Sequence, residues 1–380
     1  KMAPFAKQAS EYAGEVVDLI EVDRLPPVVG SVTWDEDPEL LCSYSWRMSV
    51  DGTNAIYVPG APRKWQEPAL PLVLSPDSGF VSKDDNYTRR EHDPFTPMFS
   101  AMAVLNPNYK FDNVDILADR RALRLLLAFV QGKFSGEFRL DLHLVSNTLV
   151  IVCNEAGWWT KGDGSTMTSN LKKVFTLDWP GMEDSTGHYR AIRYSMGPLS
   201  IVCRYDAHTY DDRVVFNNTT RPNPTLVTAG FPSLPDFNPR APLSKLPMGR
   251  MVPTAQLAHI TTRVNDNIPR TFDGIDRLWF GRTSLLYTGQ RIGNSRVING
   301  VKYENATASI QNWEMENQLN LRKLASLLGQ LRFALKNRNT PNRAAVLIRR
   351  GVKDPLQLCA MKEENQAFDA EFIEKHWVSD

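Results

Sequence analysis

The stretch IVCRYDAHTYDD, residues 201–212, sets Asp206, His208, Asp211 and Asp212 at the end of an apolar run that reads as a core strand. Carboxylates at such a strand end can hold divalent cations for phosphodiester chemistry, because the strand fixes their direction and its end leaves room for substrate. A second predicted strand lies within TAQLAHITTR, 254–263, and carries His259 and Thr261 on alternate positions. Side by side, the two strands offer Asp206, His208 and His259 as metal ligands, the imidazoles suiting a softer ion than magnesium. Asp211 and Asp212 are either substitute ligands folded back onto the site or solvated turn residues. The plainer reading of the two histidines is a pair of neutral rings, hydrogen-bonded at a sheet face.

Arg204 and Arg263 lie on these two segments, and Arg120, Arg121 and Arg282 are further arginines that a fold could bring to them. Guanidinium forks match phosphate and terminal carboxylates, so a cleft lined by them would take an anion. The alternative is that each pairs with an acid across the surface.

The rest of the sequence narrows the field. It has 380 residues, 42% of them hydrophobic, with 44 basic and 43 acidic side chains and a formal net charge of +1. That is enough for a sizeable core and gives no global attraction to nucleic acid or membrane. There is no phosphate-loop motif, no strand-linked G-x-G-x-x-G, no H-E-x-x-H and no G-x-S-x-G, which removes the ordinary kinase, dehydrogenase, metalloprotease and esterase readings. Cys42, Cys153, Cys203 and Cys359 form no C-x-x-C pair, and two sit in apolar runs, so buried reduced thiols are expected. No apolar run reaches the ~18 residues of a membrane span and no signal peptide opens the chain, so an intracellular protein without a membrane partner is expected, nucleus or cytoplasm left open.

The positioning elements follow from periodicity. Residues 1–94 are rich in proline and aromatics and read as an extended arm packed on a core, in cis or on a partner. A core over 95–350 contains a short helix ending before Pro107 and a helix from Asp119, its N-cap, to Gly132. Strands follow at EFRLDLHLV, NTLVIVCN, HYRAIRYSM and LSIVCRYDAHT, with a short helix, SNLKKVF, among them. After a Pro/Asn-rich excursion over 216–250 come the 254–263 strand, a helix at FDGIDRLWFG and two further strands. Leu321, Leu324, Leu328, Leu331 and Leu335 stripe one long helix, 306–337. AAVLIRR is a last strand, and 351–380 a tail with a short helix. The fold class is α/β (α+β), a mixed central sheet flanked by helices.

This order resembles, over about residues 110–305, the DXO family of RNA 5′-end decapping and 5′→3′ exonucleases, of the PD-(D/E)XK nuclease type, and is most similar to a fungal branch of it. The resemblance places Arg120 of LADRRALRLLL where the family grips the RNA 5′ end. Where the family has a glutamate on the helix after the hairpin, SNLKKVF has Lys172 and Lys173. Where it has Glu-x-Asp, this chain has Asp206-Ala207-His208. Where it has Glu-x-Lys, it has His259-Ile260-Thr261. The family's next helix keeps its tryptophan as Trp279 but offers Arg282 where a glutamine is expected.

The resemblance thus implies a degenerate site. Arg120, Asp206, His208, His259, Thr261 and Arg282 would contact ligand; Asp206, with His208 and His259, would be what remains of a metal set. The expected function is binding of RNA 5′ ends, nucleotides or a protein partner in RNA metabolism, without catalysis and without a cofactor. Two alternatives remain: an active nuclease with a rebuilt site, using Mg²⁺ or Mn²⁺ with Asp206 catalytic, and a structural subunit with a vestigial cleft.

Overall fold

The computed structural model describes residues 12–35, 37–48, 53–75, 80–82, 94–133, 137–154, 159–161, 167–214, 242–264, 272–293, 295–340, 342–363 and 366–377. Among them the strands form an eleven-stranded sheet, a seven-stranded sheet and a two-stranded ladder. The larger sheet runs, edge to edge, Ala13–Ile20, Leu356–Met361, Ala344–Arg349, Phe138–Val145, Thr148–Asn154, Ile116–Asp119, Leu199–Ala207, Ser185–Met196, Glu39–Arg47, Asn54–Gly60 and Leu243–Gly249. It is mixed, as expected from the sequence. Ile116–Asp119 lies parallel to both of its neighbours, Thr148–Asn154 and Leu199–Ala207, whereas most other pairs are antiparallel.

Both faces of this sheet are covered, which is why Ile116–Asp119, Thr148–Asn154 and Leu199–Ala207 are apolar at most positions. Ile201, Cys203 and Tyr205 join a core with the helices Arg120–Val130 and Gln318–Lys336; Leu117, Val150 and Val202 join a second core with Thr96–Leu105 and Ala370–His376. Helix Arg120–Val130 buries Leu123, Leu126, Leu127 and Val130, one helical stripe, against the sheet. All four cysteines are buried, and none forms a disulfide among the described residues. No helix among the described residues is long and apolar enough to cross a membrane.

Three expectations change. Residues 13–75 are not an irregular arm: they supply the strands Ala13–Ile20, Glu39–Arg47 and Asn54–Gly60 of the large sheet, with Glu39–Arg47 paired along Ser185–Met196. The prolines fall between these strands, or within one next to the sheet edge, where a missing N–H is tolerated. The long helix is two, Thr307–Glu316 and Gln318–Lys336, parted at Asn317, whose side-chain amide donates to the Trp313 carbonyl at 2.9 Å while its oxygen accepts from Gln131 at 2.8 Å. The C-terminal segment carries a strand, Leu356–Met361, as well as the expected helix.

The smaller sheet runs Thr176–Leu177, Arg63–Trp65, Thr209–Tyr210, Leu257–Val264, Leu285–Arg291, Val297–Asn305 and Leu72–Val73. One segment joins the two sheets. Leu199–Ala207 ends in the large sheet, His208 leaves it, and Thr209–Tyr210 pairs antiparallel with Leu257–Val264 in the small one, Thr209 opposite Ala258.

Candidate anion site at the sheet junction

Parallel strands put their carboxyl ends on one edge, and in open α/β sheets that edge is where ligands bind. Here Ile116–Asp119 ends there and turns at once into helix Arg120–Val130, while Leu199–Ala207 ends beside it, Arg204 opposite Asp119. Asp119 does not cap the helix with its side chain. Its carboxylate instead takes a bidentate fork from Arg204, 2.6 Å to Nε and 2.9 Å to Nη2, and Arg204 also donates to the Pro94 carbonyl. Arg204 is thereby a buried clamp, not a cleft residue.

Arg120 points across the edge. Its Nη2 donates to Asp206 Oδ1 at 2.5 Å and to the Asp206 carbonyl at 3.2 Å, and its guanidinium lies 5.2 Å from the centre of the Tyr205 ring. Gly281 makes room for it: a Cβ there would stand 3.0 Å from Arg120 Nη1. The Arg120 side chain is only 10% exposed, that of Asp206 52%.

Asp206 Oδ2 faces His208 Nε2 at 3.4 Å. On the other side of that ring the Ile260 amide donates to Nδ1 at 3.3 Å, so the neutral ring carries its proton on Nε2, toward the carboxylate. The rings of His208 and His259 stack with centroids 4.1 Å apart. Burial first, then Lys172, brings the His208 imidazole down to about 4 in spite of Asp206. Burial, then His208 and Arg120, puts His259 well below the usual histidine range. Crowding by the protein works against the charge of Asp206, but Arg120 first, then His208 and Lys172, hold it well below the usual carboxylate range. Of the two imidazoles expected to be neutral and hydrogen-bonded, His208 has hydrogen-bonding partners on both nitrogens and His259 stacks on its ring.

Two cations complete the site that sequence reasoning did not assign to it. Lys172 sits on helix Thr168–Val174, which packs on strand Leu257–Val264, and acts on Asp206, His208 and His259 together. Arg277 sits on helix Ile275–Gly281, packed on Arg120–Val130 and pinned there by Arg124 Nε on Asp276 at 2.7 Å. Its guanidinium makes no hydrogen bond or ion pair among the described residues. The packing around it and then Arg124 and Arg120 bring its pKa down to about 10. Lys172 was legible only as a missing acid; nothing local marks Arg277, because the two meet through packing of three distant elements.

The remaining expected residues fall elsewhere. Thr261 lies two positions beyond His259 on the same strand, opposite Thr288. Arg282 does not line an open cleft: it is 1% exposed, in left-handed conformation (φ 51°) after its helix, with its guanidinium 3.7 Å from the Tyr194 ring centre and 4.3 Å from that of Trp279. Asp211 and Asp212 do not fold back. Asp211 accepts from Arg213 and, at 2.8 Å, from the Tyr287 hydroxyl, and Asp212 pairs with Lys64 at 2.6 Å.

This donor set does not fit divalent cations. Among the described residues no group of three or more His, Cys, Asp or Glu side chains is arranged to hold an ion. Asp206 is already neutralised by Arg120, and Asp119 and Asp276 are each taken by an arginine. Among the described residues, a cation placed here would meet Arg120, Lys172 and Arg277 with Asp206 as the carboxylate not held in another structural pair. An anion meets the reverse.

The model of a family described as a domain of unknown function, DUF8563, matches residues 14–377. The chain belongs to that family. No curated protein matches the sequence. Solved structures share its fold. Rai1 of S. pombe, solved with 3′-FADP, superposes with a TM-score of 0.58 at 12% identity, over 90% of this chain and 98% of that one. Rai1 of Candida albicans, solved with pU5 and Mn²⁺, gives 0.57 at 11% identity over 94% and 98%. Dxo1 of K. lactis, solved with manganese, gives 0.51 at 9% identity over 93% and 99%. The fold is thus that of the DXO family, as the order of elements implied, and the likeness extends through the N-terminal strands to nearly the whole chain.

Proposed function

We propose that this protein binds a phosphorylated RNA 5′ end, or a nucleotide, in the cleft at the sheet junction and does not cleave it. The observation that carries this reading is the excess of cationic side chains, Arg120, Lys172 and Arg277, around one half-exposed carboxylate. Guanidinium and ammonium groups fixed on three rigid elements recognise phosphate oxygens without a metal. RNA and nucleotide as the ligand class find support in fold relatives solved with pU5 and with 3′-FADP. The reading without cleavage is supported by the donor set among the described residues, which offers Asp206 where a metal site needs several carboxylates.

The test is incubation with 5′-monophosphorylated, 5′-triphosphorylated and capped RNA in EDTA, Mg²⁺ and Mn²⁺. Salt-sensitive binding without turnover, weakened by Arg120→Ala, is expected. A second reading, a metal-dependent RNA 5′-end nuclease with Asp206 as ligand, is favoured by the relatives solved with manganese. Turnover that disappears in Asp206→Ala would establish it and displace the first.

A further inference from the structure

We propose that Asp206 is a built-in competitor for the anion this cleft takes: its carboxylate occupies Arg120 in the free protein and yields it, turning to His208, when a terminal phosphate enters. The inference rests on the anion-binding reading above and gives Asp206 a role that reading leaves open.

The geometry distinguishes the mobile partner from the fixed one. Arg120 is 10% exposed, held by its helix, by the Tyr205 ring and by the close approach of Gly281, whereas the Asp206 side chain is 52% exposed. Arg120 also donates to the Asp206 carbonyl, a bond that loss of the carboxylate leaves in place. The carboxylate has a second partner within reach. His208 Nε2 stands 3.4 Å from Oδ2, and its proton is directed there because Nδ1 accepts from Ile260. Turning toward His208 therefore moves Asp206 from one donor to another without leaving it bare.

A terminal phosphate outbids the carboxylate through its charge and its number of oxygens. It brings close to two negative charges and three accepting oxygens, against one charge and two oxygens. Asp206 satisfies Arg120 but leaves Arg277 without an ion pair among the described residues, and a dianion beside Arg120 gains more than a single carboxylate does from the field of Arg277 and Lys172, both of which act on this position. An internal phosphodiester, with one charge, has much less advantage. Competition by Asp206 therefore selects for ends over internal backbone.

The experiment measures binding of 5′-phosphorylated and 5′-hydroxyl pentaribonucleotides to the full chain by fluorescence anisotropy in EDTA. Wild type is expected to prefer the phosphorylated end. Asp206→Asn is expected to tighten the phosphorylated probe by about tenfold and the hydroxyl probe by no more than about twofold. Asp206→Ser, which cannot pair with Arg120 as an amide can, is expected to shift affinity in the same direction, and Arg120→Gln on top of Asp206→Asn to abolish the gain. Melting curves confirm that each variant is folded. Weaker binding of the phosphorylated probe by both Asp206 variants, with wild type still preferring it, overturns the competitor role and leaves the anion cleft standing. No preference for the phosphorylated end in any folded form overturns the cleft reading, and the competitor role with it.

Discussion

Asp206 and Asp211 lie five residues apart on one segment, one near the end of a strand of the large sheet and one just past a strand of the small one, and they are opposites. Asp211 is 3% exposed and saturated: the Arg213 guanidinium and its backbone amide donate to it, as does the Tyr287 hydroxyl. Asp206 is half exposed and has more positive charge around it than it can neutralise. The first is a finished structural contact, the second an unfinished electrostatic one. Unbalanced charge at a strand end is what the proposed anion site rests on.

The comparison can be broken by stability measurements, and the largest effect belongs to a third aspartate. Asp119→Ala strands Arg204, 7% exposed, without its carboxylate, and should cost about 3–5 kcal/mol in chemical denaturation. A loss under about 1 kcal/mol would erase the division between saturated and open carboxylates. Asp211→Asn should cost less, about 1–3 kcal/mol, since Tyr287 keeps an acceptor while Arg213 loses a charged one. Asp206→Asn should change stability by no more than about 1 kcal/mol, because its side chain is half in water. If Asp206→Asn proves as costly as Asp211→Asn, Asp206 is structural after all.

The histidines sharpen the contrast through pH. His208 titrates at about 4 in the folded protein, below the 6.5 of a free imidazole, so the unfolded chain binds more protons between those values. Its contribution is full above about 6.5 and is lost as pH falls toward about 4. His259 adds to the loss in the same direction. Replacing His208 with Gln should flatten the stability profile across that window, measured by denaturation at fixed pH steps; an unchanged slope would mean the ring is not held neutral by its burial.

Some of this was legible in the sequence. The Leu123–Val130 stripe and the apolar runs at 148–154 and 199–205 carry their periods openly, and the order of elements implied the fold. Glu39–Arg47 was not seen, although Cys42, Tyr44 and Trp46 alternate with serines, because prolines on either side mask the period. The break at Asn317 had no Pro or Gly to announce it; a side chain inserting among carbonyls did the work. At the site, Asp206, His208 and His259 could be named from strand alternation, which fixes the residues that share a face, whereas Arg120, the first residue of a helix, was named only through the resemblance. Lys172 and Arg277 could not, because their meeting depends on how two helices dock. Arg282 was misplaced for the same reason: its position in the chain is beside the site, but the left-handed turn after its helix sends it into the core.

The most direct test of the central claim is a crystal structure of the protein soaked with a nucleoside 5′-monophosphate and Mn²⁺, with manganese located by its anomalous scattering. Phosphate density is expected on Arg120, Lys172 and Arg277, with Asp206 turned toward His208 and no manganese beside it. Manganese bound to Asp206, bridging to the phosphate, would contradict that claim.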